Sequence, residues 1–207
     1  RLLHTDTKYM WVGTFHSIAL RLLRAHYQEA GLPASFQIID AGEQQSLIKR
    51  LIKQKGLDED RYPAKEIQSY INYQKEQGLR AAQLTPDGLR TQQWLEIYNL
   101  YEETCNRDGL VDFTELLLRS YELLAMHDGL LRRYQQQFKH ILVDEFQDTN
   151  QLQYLWLKIL VGAESEIFAV GDDDQSIYSF RGAKVSNMRA FLRDFSAPEP
   201  LRLEQNY

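Results

Sequence analysis

A single cysteine, Cys105, occurs in 207 residues. That excludes an internal disulfide and any cysteine metal cluster, and it fits a reduced, cytosolic setting. No apolar run comes near the roughly 18 residues a membrane span needs. The opening segment, RLLHTDTKYMWVG, has neither an apolar signal-peptide core nor an initiator methionine, as expected of an excerpt from a longer chain. There is no basic excess either. A net charge of −5 excludes a wholly basic nucleic-acid coat, although phosphate contacts need only one cationic face. Finally, none of the eleven glycines is followed by lysine, so the phosphate-gripping loop G-x-x-x-x-G-K-[ST] is absent.

What is present is ordinary in bulk: 43% hydrophobic and 26% charged residues, in a chain long enough for one large domain or two small ones. Tyr9–Thr14 (YMWVGT) reads as a strand leaving into a turn. From His16 the apolar period becomes helical, with Ile18, Leu22 and Leu23 on one face and Gly31 and Pro33 as stops. Asp40 and Glu43 make a capping-box pattern before Leu47, Ile48, Leu51 and Ile52, with Gly56 as the stop. Pro63 opens a helix carrying Ile67, Tyr70 and Ile71 that ends near Gly78. Thr85-Pro86 opens a long one through Trp94, Leu95 and Tyr98. Asp112 and Glu115 pattern a second capping box before LLLRSYELL, and a last helix carries Leu130, Leu131, Tyr134 and Phe138. The acid-free run SLIKRLIKQK, with Lys49, Arg50, Lys53 and Lys55, reads as a solvated helix face or as a phosphate-contacting one.

The texture then changes. HILVDE and EIFAVGD are short continuous apolar runs ending in acids, separated by the helical LQYLWLKIL, and LRLEQNY is a third candidate strand. Strand–helix–strand order is the signature of a parallel sheet with crossover helices. The expected fold is therefore an α/β sheet entered at residues 9–14, interrupted by a helical block, and resumed at residue 140.

The chemistry gathers at two strand ends. In ILVDEFQDTN, apolar residues feed directly into Asp144 and Glu145, with Asp148 one turn on. In a nucleotide hydrolase such a pair holds Mg²⁺ and positions the attacking water; the bland alternative is a strand end with helix-capping acids. The next strand end, VGDDDQSIYSFRGA, brings three acids, Gln175, Tyr178, Phe180 and Arg181 to a neighbouring loop. Ligands of open α/β sheets bind at the crevice where such strand ends converge. Gln175 suits orienting a water or touching a terminal phosphate, and the two aromatics suit base stacking as well as core packing. A metal-dependent nuclease using Asp144, Glu145, Asp148 and Asp172–Asp174 is less favoured, since no catalytic lysine accompanies them.

GTFHS, GLVDFTELLL, ILVDEFQDTN, GDDDQSIYSFRGA and LEQNY occur in the order and approximate spacing of superfamily-one helicases of the UvrD/Rep/PcrA group, which the chain resembles over nearly its whole length. The resemblance implies a RecA-like P-loop NTPase sheet with a large inserted helical subdomain. Residues 1–16 and 139–203 would belong to the first ATPase domain, 17–138 to the DNA-contacting insert, and 204–207 to the start of the second motor domain. It implies that the phosphate loop lies upstream of residue 1 and that an arginine follows Tyr207. Asp144 would hold Mg²⁺, Glu145 would activate water, Gln175 would sense the ATP γ-phosphate and couple it to DNA, and Tyr207 would stack on adenine. Tyr178 and Phe180 would contact bases of the single strand, with Arg181 in support. Phe180 departs from the family's usual tryptophan, which implies weaker stacking. Thr14, His16 and Ser17 would lie near the DNA backbone, the alternative for His16 being helix capping. Lys49, Arg50 and Lys53 would meet duplex phosphates. The parent is thereby expected to be a cytoplasmic, ATP- and Mg²⁺-dependent 3′–5′ DNA helicase and translocase of repair or replication. Its expected partners are single-stranded DNA, single-strand/duplex junctions and DNA-repair proteins, with no membrane role. The competing expectation is a DNA-binding or partner-docking module without chemistry of its own, and the isolated 207 residues are expected not to hydrolyse ATP.

Overall fold

The computed structural model describes residues 10–172, 186–198 and 200–201. The chain divides into two compact units, Arg1–Met126 and His127–Tyr207. The described residues are mostly helical, with two small parallel sheets of two strands each.

The first unit contains helices α1 (Phe15–Ala25), α2 (Ala41–Gln54), α3 (Ala64–Glu76), α4 (Leu89–Asp108) and α5 (Phe113–Met126). Its apolar core joins Ile48, Leu51 and Ile52 of α2, Ile67 and Ile71 of α3, and Ile97, Tyr98 and Tyr101 of α4. Their i, i+3, i+4 spacing is what buries one stripe of each helix. The capping box expected at Asp40 and Glu43 forms in full: the Glu43 N–H donates to Asp40 Oδ1 at 2.8 Å and the Asp40 N–H to Glu43 Oε2 at 2.9 Å. Pro63 caps α3, and Gly56 and Gly78 turn the chain at positive φ after α2 and α3.

Three expectations need correction here. Residues 10–14 form no strand. Val12 is 85% exposed, and no neighbouring strand among the described residues takes up its backbone groups. Helix α4 begins at Leu89 rather than at Thr85-Pro86, because Asp87 and Thr91 bond to each other across the bend: the Asp87 N–H donates to Thr91 Oγ1 at 3.2 Å and the Thr91 hydroxyl to Asp87 Oδ1 at 2.6 Å. The box at Asp112 is only half made. The Glu115 N–H donates to Asp112 Oδ1 at 2.7 Å, but the Glu115 carboxylate turns inward.

It turns toward a buried ionic cluster. Lys75 Nζ lies 2.7 Å from Asp112 Oδ2 and 2.9 Å from Glu115 Oε2. Arg80 clamps Glu115 with both terminal nitrogens, at 2.8 and 2.9 Å, and also reaches Glu102 and Glu122. The Tyr101 hydroxyl donates to Asp112 at 2.8 Å, and Arg119 to Glu115 at 2.7 Å. Burial alone would raise the pKa of Glu115; Lys75, then Arg80 and Arg119, outweigh it and hold the carboxyl well below its ordinary range. Beside the cluster a short ladder, β1 (Gln37–Ile39) parallel to β2 (Leu110–Asp112), was not anticipated from the sequence. At three residues each, the strands are too short to show a period.

In the second unit, β3 (His140–Val143) pairs in parallel with β4 (Glu166–Ala169), in the register Leu142↔Phe168 and Val143↔Ala169. Helix α7 (Gln151–Leu160) connects them, and α6 (Asp128–Gln137) and α8 (Ser186–Asp194) complete the unit. This is the strand–helix–strand unit expected from residue 140. Phe191 packs edge-on against Phe146 at 5.1 Å between centroids, and the Tyr154 hydroxyl donates to Asp194 at 3.0 Å. Leu142 and Phe168 are 75% and 59% exposed, unusual for parallel strands, whose faces are normally both covered. Leu201 lies in no strand, and the rest of the third candidate strand, 202–207, falls outside the described residues.

Candidate functional site

The acidic turn is built at the carboxyl end of β3. Val143 is the last buried strand residue; Asp144 and Glu145 follow it into the open, and Phe146 returns to the core at 1% exposure. This reversal forces Glu145 into the left-handed region, at φ 50° and ψ 43°. A non-glycine residue there costs about 1–2 kcal/mol. The surrounding bonds hold it. The Phe146 N–H donates to Val170 O at 2.9 Å and the Val170 N–H to Val143 O at 2.8 Å, so the turn is tied to the end of β4. The Thr149 hydroxyl donates to Phe146 O at 2.7 Å, and Asn150 opens α7 through a reciprocal box with Gln153.

The carboxylates are differently placed. Asp144 is exposed, and its Oδ1 accepts the Glu145 N–H at 3.0 Å. Glu145 Oε2 accepts from Gln147 Nε2 at 2.6 Å. Asp148 Oδ1 is buried without a hydrogen-bond partner, a costly state in a finished structure. No group of three or more His, Cys, Asp or Glu side chains suited to a metal occurs among the described residues. Mg²⁺ does not require one, because it is typically held by one or two carboxylates together with waters and phosphate oxygens. The exposed carboxylate of Asp144 and the orphaned oxygen of Asp148 fit that donor chemistry.

The GTFHS turn opens α1. Thr14 caps the helix, accepting the Ser17 N–H at 3.3 Å, and the Ser17 hydroxyl donates to Thr14 O at 2.8 Å. A Cβ at Gly13 would sit 2.3 Å from Ser17 Oγ and would displace the hydroxyl from this contact. His16 is not the cap. It is half-buried, burial lowers its pKa below the ordinary 6.5, and it is therefore neutral at pH 7. Its ring meets Phe113 edge-on at 5.9 Å. Phe113, 55% exposed, was missed in the sequence. Its spacing to Leu116 and Leu117 reads as core, whereas its place in the first turn of α5 leaves it outside. Gln147 was missed too, as a polar residue inside an already acidic motif.

Lys49, Arg50 and Lys53 lie on the exposed face of α2, and Lys49 is paired with Glu59 at 2.9 Å. Gln175, Tyr178, Phe180, Arg181 and Tyr207, together with Asp173 and Asp174, lie outside the described residues. No described helix is long and apolar enough to cross a membrane.

Residues 1–196 match the family model described as the UvrD/REP helicase N-terminal domain. The chain is 55% identical over 199 residues to DNA helicase II of Haemophilus influenzae, covering 96% of this chain and 27% of that protein. It is 50% identical over 208 residues to DNA helicase II of Escherichia coli, covering 100% of this chain and 29% of that one. To the ATP-dependent DNA helicase PcrA of Staphylococcus aureus it is 34% identical over 209 residues, again covering 100% and 29%. It thus spans less than a third of the length of these relatives, and over that span the chain belongs to the UvrD/REP helicase family.

Proposed function

We propose that this chain is the part of an ATP-dependent 3′–5′ DNA helicase and translocase that carries the water-activating acid of its ATPase site. The observation that carries the reading is the acidic turn: two exposed carboxylates at the carboxyl end of a parallel strand, one of them on a backbone held in the left-handed region. Glu145 accepts the proton of the water attacking the terminal phosphate of ATP. Asp144 would hold Mg²⁺, which supplies charge neutralisation for the phosphates when bound. Gln175 and Tyr207 are assigned to the γ-phosphate and the adenine. The names of the relatives, DNA helicase II and ATP-dependent DNA helicase PcrA, support DNA and ATP as ligands.

The finer architecture belongs to the same proposal. Residues 1–16 and 139–203 belong to the first RecA-like ATPase domain, 17–138 form a DNA-contacting helical insert, and 204–207 begin the second motor domain. The exposed Leu142 and Phe168 support it, since further parts of a protein more than three times as long would cover them. Thr14, His16 and Ser17, joined by Phe113, face single-stranded DNA, as do Tyr178, Phe180 and Arg181. His16, being neutral, contributes ring contact rather than charge. Lys49, Arg50 and Lys53 meet duplex phosphates at a junction. The setting is cytoplasmic, with DNA-repair proteins as partners.

Isolated, the 207 residues lack the G-x-x-x-x-G-K loop and are assigned no turnover, so on their own they are a DNA-binding or docking module. The test is Glu145→Gln in the full-length protein, with nucleotide binding and DNA-stimulated ATPase measured together. Binding is expected to persist and turnover to fall by on the order of 10²-fold or more. Normal turnover would remove Glu145 as the base and leave Asp148 as the next candidate.

A further inference from the structure

Gln147 is buried although it carries a primary amide, and both ends of that amide are committed. Nε2 donates to Glu145 Oε2 at 2.6 Å, while Oε1 accepts the Asp172 N–H at 3.0 Å. The side chain therefore bridges the turn after β3 and the segment after β4. It does so where the two segments are already joined by the Phe146–Val170 backbone bond. The orientation of the amide is self-consistent: reversed, it would set an oxygen against the carboxylate and an NH₂ against an N–H. The bridge also needs Gly171, because a Cβ at that position would lie 2.7 Å from Gln147 Oε1 and 3.3 Å from the Gln147 backbone nitrogen.

We propose that Gln147 is a positioning residue that holds the Glu145 carboxylate in place for proton abstraction and makes its orientation depend on the backbone at Gly171–Asp172. This rests on the reading of Glu145 as the base. The left-handed backbone at Glu145 sets where its Cα–Cβ bond points but leaves the outer rotamers of an exposed side chain free. One short bond to Oε2 selects a rotamer and leaves Oε1 open to receive a proton. The group that does this must donate to a carboxylate and accept from an N–H on its other side, which a side-chain amide does and neither a carboxylate nor an alkyl chain can. A displacement of the strand end at 171–172 would move the amide oxygen and, through the rigid amide plane, the bond that orients the base.

The test is DNA-stimulated ATPase of the full-length protein carrying Gln147→Glu, Gly171→Ala, Glu145→Gln, or Glu145→Gln with Gln147→Glu, with melting temperatures read alongside. Gln147→Glu keeps an acceptor for the Asp172 N–H, loses the donor, and sets a second negative charge beside Glu145. Its kcat is expected to fall about tenfold to a hundredfold, with KM for ATP within about twofold of the parent. Gly171→Ala, which keeps the amide but displaces it, should fall in the same direction by less. Since Gln147 acts through Glu145, the double variant should turn over no more slowly than Glu145→Gln alone. Parental kcat in Gln147→Glu, or a loss that multiplies in full onto that of Glu145→Gln, overturns the proposal while leaving Glu145 as the base. If Gln147→Glu does not fold, parental kcat in Gly171→Ala overturns it instead. Normal turnover by Glu145→Gln is a separate failure: it removes the base, and this inference with it.

Discussion

Two acidic centres among the described residues use the same side chains to opposite ends. In the helical unit, Asp112 and Glu115 are buried at 3% exposure, and each is met by cations and donors: Lys75 and Tyr101 on Asp112, and Lys75, Arg80 and Arg119 on Glu115. In the acidic turn, Asp144 and Glu145 are exposed. No cation pairs with either of them among the described residues, and Asp148 keeps an oxygen with no donor. Buried charge is tolerated when its partners are complete. Charge left with unused valence, on a strained backbone, is available to something not yet bound. Net acidity therefore says little about function here; what separates a structural acid from a chemical one is whether its lone pairs are already spent.

That contrast can be broken most easily in the cluster. Lys75→Met should leave Asp112 facing only neutral donors and remove one of the cations on Glu115. Breaking a buried pair by removing one partner costs about 3–5 kcal/mol. Urea unfolding of the helical unit, followed by hydrogen exchange in α3 and α5, is the measurement. A change below about 1 kcal/mol would mean that the cluster is not stabilising in the way its geometry suggests.

A second test is pH. The folded-state pKa of Glu115 lies well below its ordinary 4.5, so its contribution is complete above the unfolded value and is lost as pH falls toward the depressed folded one. Stability of the helical unit should drop below about pH 4.5, and Glu115→Gln should flatten that drop. An equal acid dependence in parent and variant would assign the effect to other carboxylates.

The smallest effect is expected on the surface. Lys49→Ala with Lys53→Ala should leave stability within about 0.5 kcal/mol and lower the salt slope of duplex binding by roughly one to two. An unchanged slope would return α2 to a solvated face whose Lys49 merely pairs with Glu59.

Legibility in the sequence followed locality. The Asp40/Glu43 box formed as read because both partners lie within one turn. The Asp112/Glu115 pattern did not close, because the Glu115 carboxylate is claimed by Lys75 and Arg80 from elsewhere in the chain, and no local pattern records a long-range ion pair. Tyr9–Thr14 read as a strand by composition, but a strand needs a neighbour and residues 10–14 have none among those described. At the site, the apolar run ending in Asp144 and Glu145 was plain. The left-handed turn, the orphaned Asp148 oxygen and the Gln147 bridge were not, since each arises from how the chain reverses at Phe146 and meets β4. Gln175, Tyr178, Phe180 and Arg181 were readable as a polar and aromatic strand-end loop, whereas their particular roles and that of Tyr207 rest on the family resemblance, with Phe180 replacing its usual tryptophan.

The most direct measurement places one acid from each centre side by side: Glu145→Gln and Glu115→Gln in the full-length protein, each assayed for melting temperature and DNA-stimulated ATPase. Glu145→Gln should melt within about 2 °C of the parent, because the Gln147 bond and the backbone strain both persist, and should lose on the order of 10²-fold or more in turnover. Glu115→Gln should lower the melting temperature by about 5 °C or more and, below its melting point, retain turnover within a few-fold. The reverse pattern, with Glu145→Gln unstable but active and Glu115→Gln stable but inactive, would contradict the division between structural and chemical acids.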